Sequence, residues 1–411
     1  MKRFSVLALV LCACFVPVAW AQQENAPRFG RHRIPGHGRF IAIQGTNGTM
    51  GRQGVRAESF AAHNTEVWDL GTYPGGTWAE AGGINDFGVA VALGDTGPNG
   101  PTHLFTIQLS GPHAPRWSDL GPTNAYEGWF AWPSIADTGL IVGYAATPVG
   151  AVHGFLWVGK HAIDLGTLAD IGYTSYDNSE AAIVNKRGTL IAGGATSSSE
   201  PGAGLPVVWT LDSRTHTWKI HKLDTAGFPY GFALGVNDAG QVAGAFFDDA
   251  GTYIAALWNP IPGKEEWKAI KLPGSLDWPV VAIAGDINEK GEIVGDVLSS
   301  DWVNGYSSLW QPLDPMRRTY KLTLLPNYYN GANGDTAEGI NDLGDIVGGT
   351  WDGDGTPHAA RWSTKDTNLV QLLDFPGDYS VAYKVNESRI ATGLYGGGAC
   401  ANECARAVRI H

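Results

Sequence analysis

A ten-residue pattern returns seven times along this chain at nearly even spacing, and that period constrains the fold more than any other feature. The clearest copy is GINDLGDIVG at 339–348. Counting at its third position picks out Asn85, Ala136, Asn185, Asn237, Asn288, Asn341 and Asn386. The steps between them are 51, 49, 52, 51, 53 and 45 residues. A period of this length means stacked supersecondary units, not one domain after another. It overrides the two or three domains that length alone would suggest.

Each copy reads as a hairpin. A short apolar run enters, Asn-Asp-x-Gly supplies turn chemistry, and a β-branched run leaves. About fifteen residues on, a third run ends in tryptophan at Trp157, Trp209, Trp258, Trp310 and Trp362. A fourth run ends near a leucine, as in Trp68-Asp69-Leu70 and Ile163-Asp164-Leu165. Four short strands per unit, with no helical period between them, predict an all-β chain: a single seven-bladed β-propeller of four-stranded blades. Glycine at 56 of 411 residues supplies the turns. The tryptophans are expected to pack between blades.

The order of the pieces adds one inference. A fourth-strand copy at 66–70 precedes the first hairpin, and a third-strand copy at 405–410 ends the chain. The N-terminal strand is therefore expected to complete the last blade. Such a clasp would remove open sheet edges.

The strings VHGFLWVGKHAIDLGTL (152–168) and GINDLGDIVG resemble the bacterial extracellular HAF-repeat family. The family's third-strand histidine stands here at His103, His153 and His358, and other residues take its place in four units. The resemblance covers about 59–411 and implies a secreted propeller-like fold, with no particular activity. A residue that recurs in one slot of several units is expected to serve the scaffold, and the three histidines are read that way.

Residues 1–21 read as a signal peptide: Lys2 and Arg3, an apolar run, then Ala19-Trp20-Ala21 as a cleavage site. The Leu11-Cys12-Ala13-Cys14 string leaves lipoprotein processing as an alternative. Residues 22–58 form a basic leader containing Gly and Pro, with a short strand expected at 40–43, and 59–411 the propeller. The localisation expected is secreted, periplasmic or extracellular. Cys400 and Cys404 are then expected to form a disulfide in the loop between the second and third strands of the last blade. Loss of Lys2 and Arg3 takes the formal charge from −12 to −14, which argues against a nucleic-acid partner. The expectation is a monomer with no cofactor, no metal and no membrane span. Asp352-Gly353-Asp354-Gly355 hints at a calcium loop but reads better as a turn, because the other acidic ligands are absent.

The place where a ligand could bind lies where the units differ. The segments leading into the first strands carry Trp78, Trp129, Trp132, Tyr176, Tyr230, Trp278 and Tyr379. Acidic neighbours include Glu80, Asp177 and Asp335. Flat aromatic faces with polar edges suit a sugar ring. The leading reading is a non-catalytic binder of a glycan or a surface partner through this axial face. The alternatives are a polysaccharide lyase or hydrolase with its site at the same mouth, and a structural envelope component. The aromatics could equally plug the entrance. No catalytic residue can be assigned from spacing, and no nucleophile, zinc or phosphate motif is present.

Overall fold

The computed structural model describes residues 56–58, 67–123, 133–200, 204–274, 280–299, 305–329, 335–397 and 400–410. Among these the regular structure is β-strand, apart from one 3-10 turn at Leu168–Ile171. Four sheets have four strands, one has five and one has eight. The eight-stranded sheet is two four-strand runs joined by a single parallel pair, Tyr253 with Val281. The fifth strand of the five-stranded sheet is Arg56–Glu58, which lies parallel to the outer strand Leu369–Leu372. The strand expected at 40–43 falls outside the described residues.

One run illustrates the rest. Tyr230–Val236 pairs antiparallel with Val242–Phe247, which pairs with Tyr253–Pro260, which pairs with Trp267–Lys271. The first strand bulges between Ala233 and Gly235. Equivalent bulges break the first strands Asn178–Val184, Val280–Ile287, Thr336–Ile340 and Tyr379–Val385. The bulge explains the last glycine of the motif. A Cβ on Gly244, Gly295, Gly348 or Gly393 would strike the carbonyl oxygen of Phe232, Ile283, Thr336 or Val381 in the first strand. Only glycine lets the two backbones come so close.

The core lies between runs. One cluster joins Ala243, Ala255 and Leu257 of one run to Ala282, Ile293 and Trp310 of the next. The tryptophans are the main fastening. Trp209, Trp258, Trp310 and Trp362 are all 1% exposed or less. Their indole N–H groups donate to the backbone oxygens of Leu165, Asp224, Pro273 and Pro326, each just beyond the fourth strand of the preceding run, at 2.9, 2.6, 2.8 and 2.8 Å. Each side chain thus buries its large apolar surface and satisfies its one polar group at the same junction.

Val67–Gly71 pairs antiparallel with the C-terminal strand Cys400–Arg409, Val67 facing Val408 and Asp69 facing Arg406. This is the partner that the offset of the strand copies implied. Leu70 is buried there, and the Tyr395 hydroxyl donates to Asp69 at 2.9 Å.

The seventh copy lacks the turn glycine. Gly88, Gly139, Gly188, Gly240, Gly291 and Gly344 all have positive φ, and Arg389 holds the same left-handed conformation at φ 61°. A non-glycine residue there costs roughly 1–2 kcal/mol. The compensation is visible: Arg389 donates to buried Asp345 through Nε at 2.8 Å and Nη2 at 2.7 Å. Asp345 also receives Arg361 Nη2 at 3.1 Å. Arg389→Gly is expected to relieve the backbone yet still destabilise by about 2 kcal/mol, because a buried carboxylate loses a partner. Arg389→Ala keeps the strain and loses the pair, so it should be worse by about 1 kcal/mol more. Denaturant melts check the ranking, and a glycine variant more stable than wild type would contradict it.

Candidate functional site

The first strands have two chemically different ends. Tyr230 and Tyr379 open their strands, and Trp78 and Asp177 stand one residue before theirs. The motif asparagine follows at the far end. Seven extended residues separate the ends by roughly 20 Å.

At the asparagine end, turns of successive runs are bonded together. The Oδ1 of Asn237 accepts the amide of Gln241 at 2.9 Å, closing its own turn, while its Nδ2 donates to Asn288 O at 2.9 Å. Asn288 donates to Asn341 O at 3.0 Å, Asn341 to Asn386 O at 2.9 Å, and Asn386 to Asn85 O at 2.8 Å. Asn85 donates to Ala136 O at 3.3 Å, and Asn185 to Asp238 Oδ1 at 2.8 Å. Ala136 has no such group, and there the amide of Asp137 donates to Lys186 O at 2.9 Å instead. The asparagines are therefore fasteners as well as turn formers, which turn chemistry alone did not predict.

The next residue makes a second circuit that sequence reasoning missed. The carboxylates of Asp137, Asp238, Glu289, Asp342, Glu387 and Asp86 accept the amides of Asp86, Arg187, Asp238, Glu289, Asp342 and Glu387, at 2.7–3.0 Å. Burial pushes the Asp137 and Glu289 carboxyls up. The one cation in this position is Lys186. Its ammonium is 2.8 Å from Asp342 Oδ2, 2.5 Å from Glu387 Oε1 and 3.7 Å from Asp86 Oδ2. The signal was available: six acids and one lysine follow the counted position.

At the other end, the structure places four of the seven proposed ligand contacts. Trp129, Trp132 and Trp278 lie outside the described residues. Trp78, Tyr176, Tyr230 and Tyr379 are each half-buried. Tyr230 and Tyr379 are strand residues, not loop residues as expected, because the strand ladder extends to the mouth. Burial and the charge of Glu200 raise the Tyr176 phenol, and the charge of Asp249, to which its hydroxyl is hydrogen-bonded, raises the Tyr230 phenol, which also feels Glu200. Behind Tyr230 stands Phe247, ring centroids 5.3 Å apart, and Tyr253 stacks on Phe247 at 5.1 Å. Asp177 fixes the neighbouring hairpin by accepting Ser198 N at 2.8 Å.

A second group joins the first run to the last. Asp95 accepts the amides of Thr77 and Trp78 at 2.5 and 3.3 Å, and Asn402 Nδ2 donates to Thr77 O at 2.9 Å. The Tyr379 hydroxyl donates to Glu403 Oε1 at 3.4 Å. Glu80 lies beside Glu403. Burial, the charge of Glu403 and a hydrogen bond to it hold the Glu80 carboxyl well above the usual range. Glu180, at the same distance before its asparagine, is pushed up to about 8 by burial. Asp335 is pushed up to about 7 by burial, against hydrogen bonds from Thr350, Trp351 and Asn327.

Other candidates resolve into scaffold. The Nδ1 atoms of His103 and His153 meet the fourth-strand carboxylates of Asp119 and Asp164, each at 2.8 Å. His358 uses Asp352 at 3.0 Å instead. Asp352 also accepts the amides of Asp354 and Thr356, both at 3.0 Å, so the Asp-Gly-Asp-Gly segment is a hairpin turn. Among the described residues no group of His, Cys, Asp and Glu is arranged to hold a metal. No helix among them is long and apolar enough to cross a membrane. Cys400 and Cys404 stand at bonding distance, 2.08 Å between sulfurs. They lie within the last strand, across a bulge opposite Gly396 and Gly397, not in the preceding loop.

No protein-family model matches the chain, and no curated protein does. Among solved structures, a protein of unknown function from Dyadobacter fermentans is 10% identical, over 84% of this chain and 98% of that one, with a TM-score of 0.45. The acylaminoacyl peptidase of Pyrococcus horikoshii is 10% identical over 80% of this chain and 50% of its own, with a TM-score of 0.48. The Aleuria aurantia lectin, in complex with α-methyl-L-fucoside, is 10% identical over 75% and 99%, with a TM-score of 0.37. Likenesses this distant say nothing of what the chain does.

Proposed function

We propose that this chain is an exported, closed seven-bladed β-propeller of the HAF-repeat kind that binds a glycan at the face where its first strands begin. The observation that carries the binding reading is the pairing of half-buried aromatic rings with carboxylates at that face. Tyr176 and Tyr230 both feel Glu200, Tyr230 also faces Asp249, and the Tyr379 hydroxyl donates to Glu403. A ring face takes the apolar side of a pyranose while a carboxylate accepts its hydroxyls. Closure is supported by the Asn386-to-Asn85 bond, which spans 301 residues, and by the pairing of Val67–Gly71 with the C-terminal strand. Export is supported by the signal-like segment 1–21.

One observation favours a second reading. Glu80, whose carboxyl burial and Glu403 hold well above the usual range, forms with Glu403 the kind of carboxyl pair that supplies a general acid. Gel electrophoresis in a panel of neutral and acidic polysaccharides separates the readings, with new reducing ends assayed in parallel. Retardation without cleavage is the expected result. Cleavage that is lost in Glu80→Gln would establish the enzyme. Neither retardation nor cleavage would remove the glycan from the account.

A further inference from the structure

The geometry points to Lys186 as an axial plug: its ammonium is the internal counter-ion of the carboxylate circuit and closes that end of the molecule. The inference rests on the closed-ring reading above. Lys186 follows the first strand Asn178–Val184. The turns adjoining its own belong to Asp137 and Asp238, through Asp137 N to Lys186 O at 2.9 Å and Arg187 N to Asp238 Oδ1 at 3.0 Å. Its ammonium passes both of these carboxylates. It bonds instead to Asp342 and Glu387, 156 and 201 residues away, and stands 3.7 Å from Asp86. Those residues belong to the runs beginning at Thr336, Tyr379 and Ala79. In a ring of seven successive runs the first two stand three runs away from Lys186 in either direction, across the axis, and the third stands two runs away. A side chain that bonds the far wall must occupy the axis.

The electrostatics agree with this position. Six carboxylates converge on one circuit and repel one another. Burial opposes the charge on Lys186, but hydrogen bonds with Asp342 and Glu387 outweigh it and raise the lysine well above its ordinary value. Asp342, also opposed by burial, is drawn below the usual carboxylate range by the same lysine. With this end filled by an ammonium held on several carboxylates, a ligand can enter only from the face that carries Tyr230 and Tyr379.

The test is charge compensation read by thermal melting of the full chain, which needs no ligand. Lys186→Met is expected to lower the melting temperature by on the order of 5 °C, because it leaves carboxylates unpaired. Adding Asp342→Asn and Glu387→Gln to that variant should restore at least half of the loss. Lys186→Arg should lose less than Lys186→Met. If Lys186→Met does not fold, folding of the triple variant supports the plug and its failure to fold overturns it. An unchanged melting temperature in Lys186→Met, or losses that simply add in the triple variant, would show that Lys186 is not the counter-ion.

Discussion

A chain that starts after residue 72 is expected to lose cooperative folding, whereas one that starts at Val67 keeps it. The difference between the two is the strand Val67–Gly71 with Thr72. Removing it exposes the ladder of Cys400–Arg409 from Ala405 to Val408, takes away buried Leu70 and half-buried Trp68, and strips Tyr395 of Asp69. Burial of the two side chains and the ladder together is worth roughly 5 kcal/mol or more, a large part of what holds a typical domain folded. The freed edge would also invite association between chains. The shorter chain should therefore elute as aggregate or melt without a sharp transition. Both chains melting within about 2 °C of each other would mean that the clasp contributes little.

Stability is expected to fall as pH rises from about 5 to 8, the opposite of the trend expected from paired surface carboxylates. Glu180 has an ordinary value of 4.5 when unfolded and about 8 when folded, through burial. Asp335 moves the same way, from 3.8 to about 7. Between each pair of values the folded chain holds a proton that the unfolded chain has released, so raising pH favours unfolding. The group's stabilising share is complete below its unfolded value and gone above its folded one. Each carboxyl contributes a slope on the order of 1 kcal/mol per pH unit inside its window. Glu180→Gln keeps the shape without the ionisation. It should flatten the profile between pH 5 and 8 and raise stability at pH 8. Parallel profiles for wild type and Glu180→Gln would refute the assignment. Asp345 works in the other direction: burial raises it, but Arg389 and Arg361 hold it below the usual range, so its share is lost at low pH.

The scaffold was legible because it repeats. One copy of the turn pattern is an anecdote, but seven copies point to the strand order and to the offset that pairs Val67–Gly71 with the C-terminus. What repetition could not reveal is contact between copies. Asn386 gives no sign in sequence that its amide reaches Asn85, 301 residues earlier. The His103–Asp119 and His153–Asp164 pairs span two strands and become evident only when the ladder is known. Lys186 was hidden for a different reason. It breaks an acidic pattern, and a break reads as degeneracy until its ammonium is seen beside Asp342 and Glu387. The aromatic face was legible in kind but not in grouping. Tyr176 and Tyr230, on neighbouring runs, both feel Glu200, and Tyr379 meets Glu403 within the last run.

The proposed binding face is tested most directly by measuring glycan affinity and melting temperature together on Tyr230→Ala and Tyr379→Ala. An aromatic anchor should cost about 1–3 kcal/mol of binding, a roughly 5- to 150-fold loss. Both rings are half-buried at strand starts, so melting should drop by only a few degrees. Lost affinity with the fold intact is the predicted result. Full affinity with a large fall in melting temperature would make these rings a plug and contradict the account.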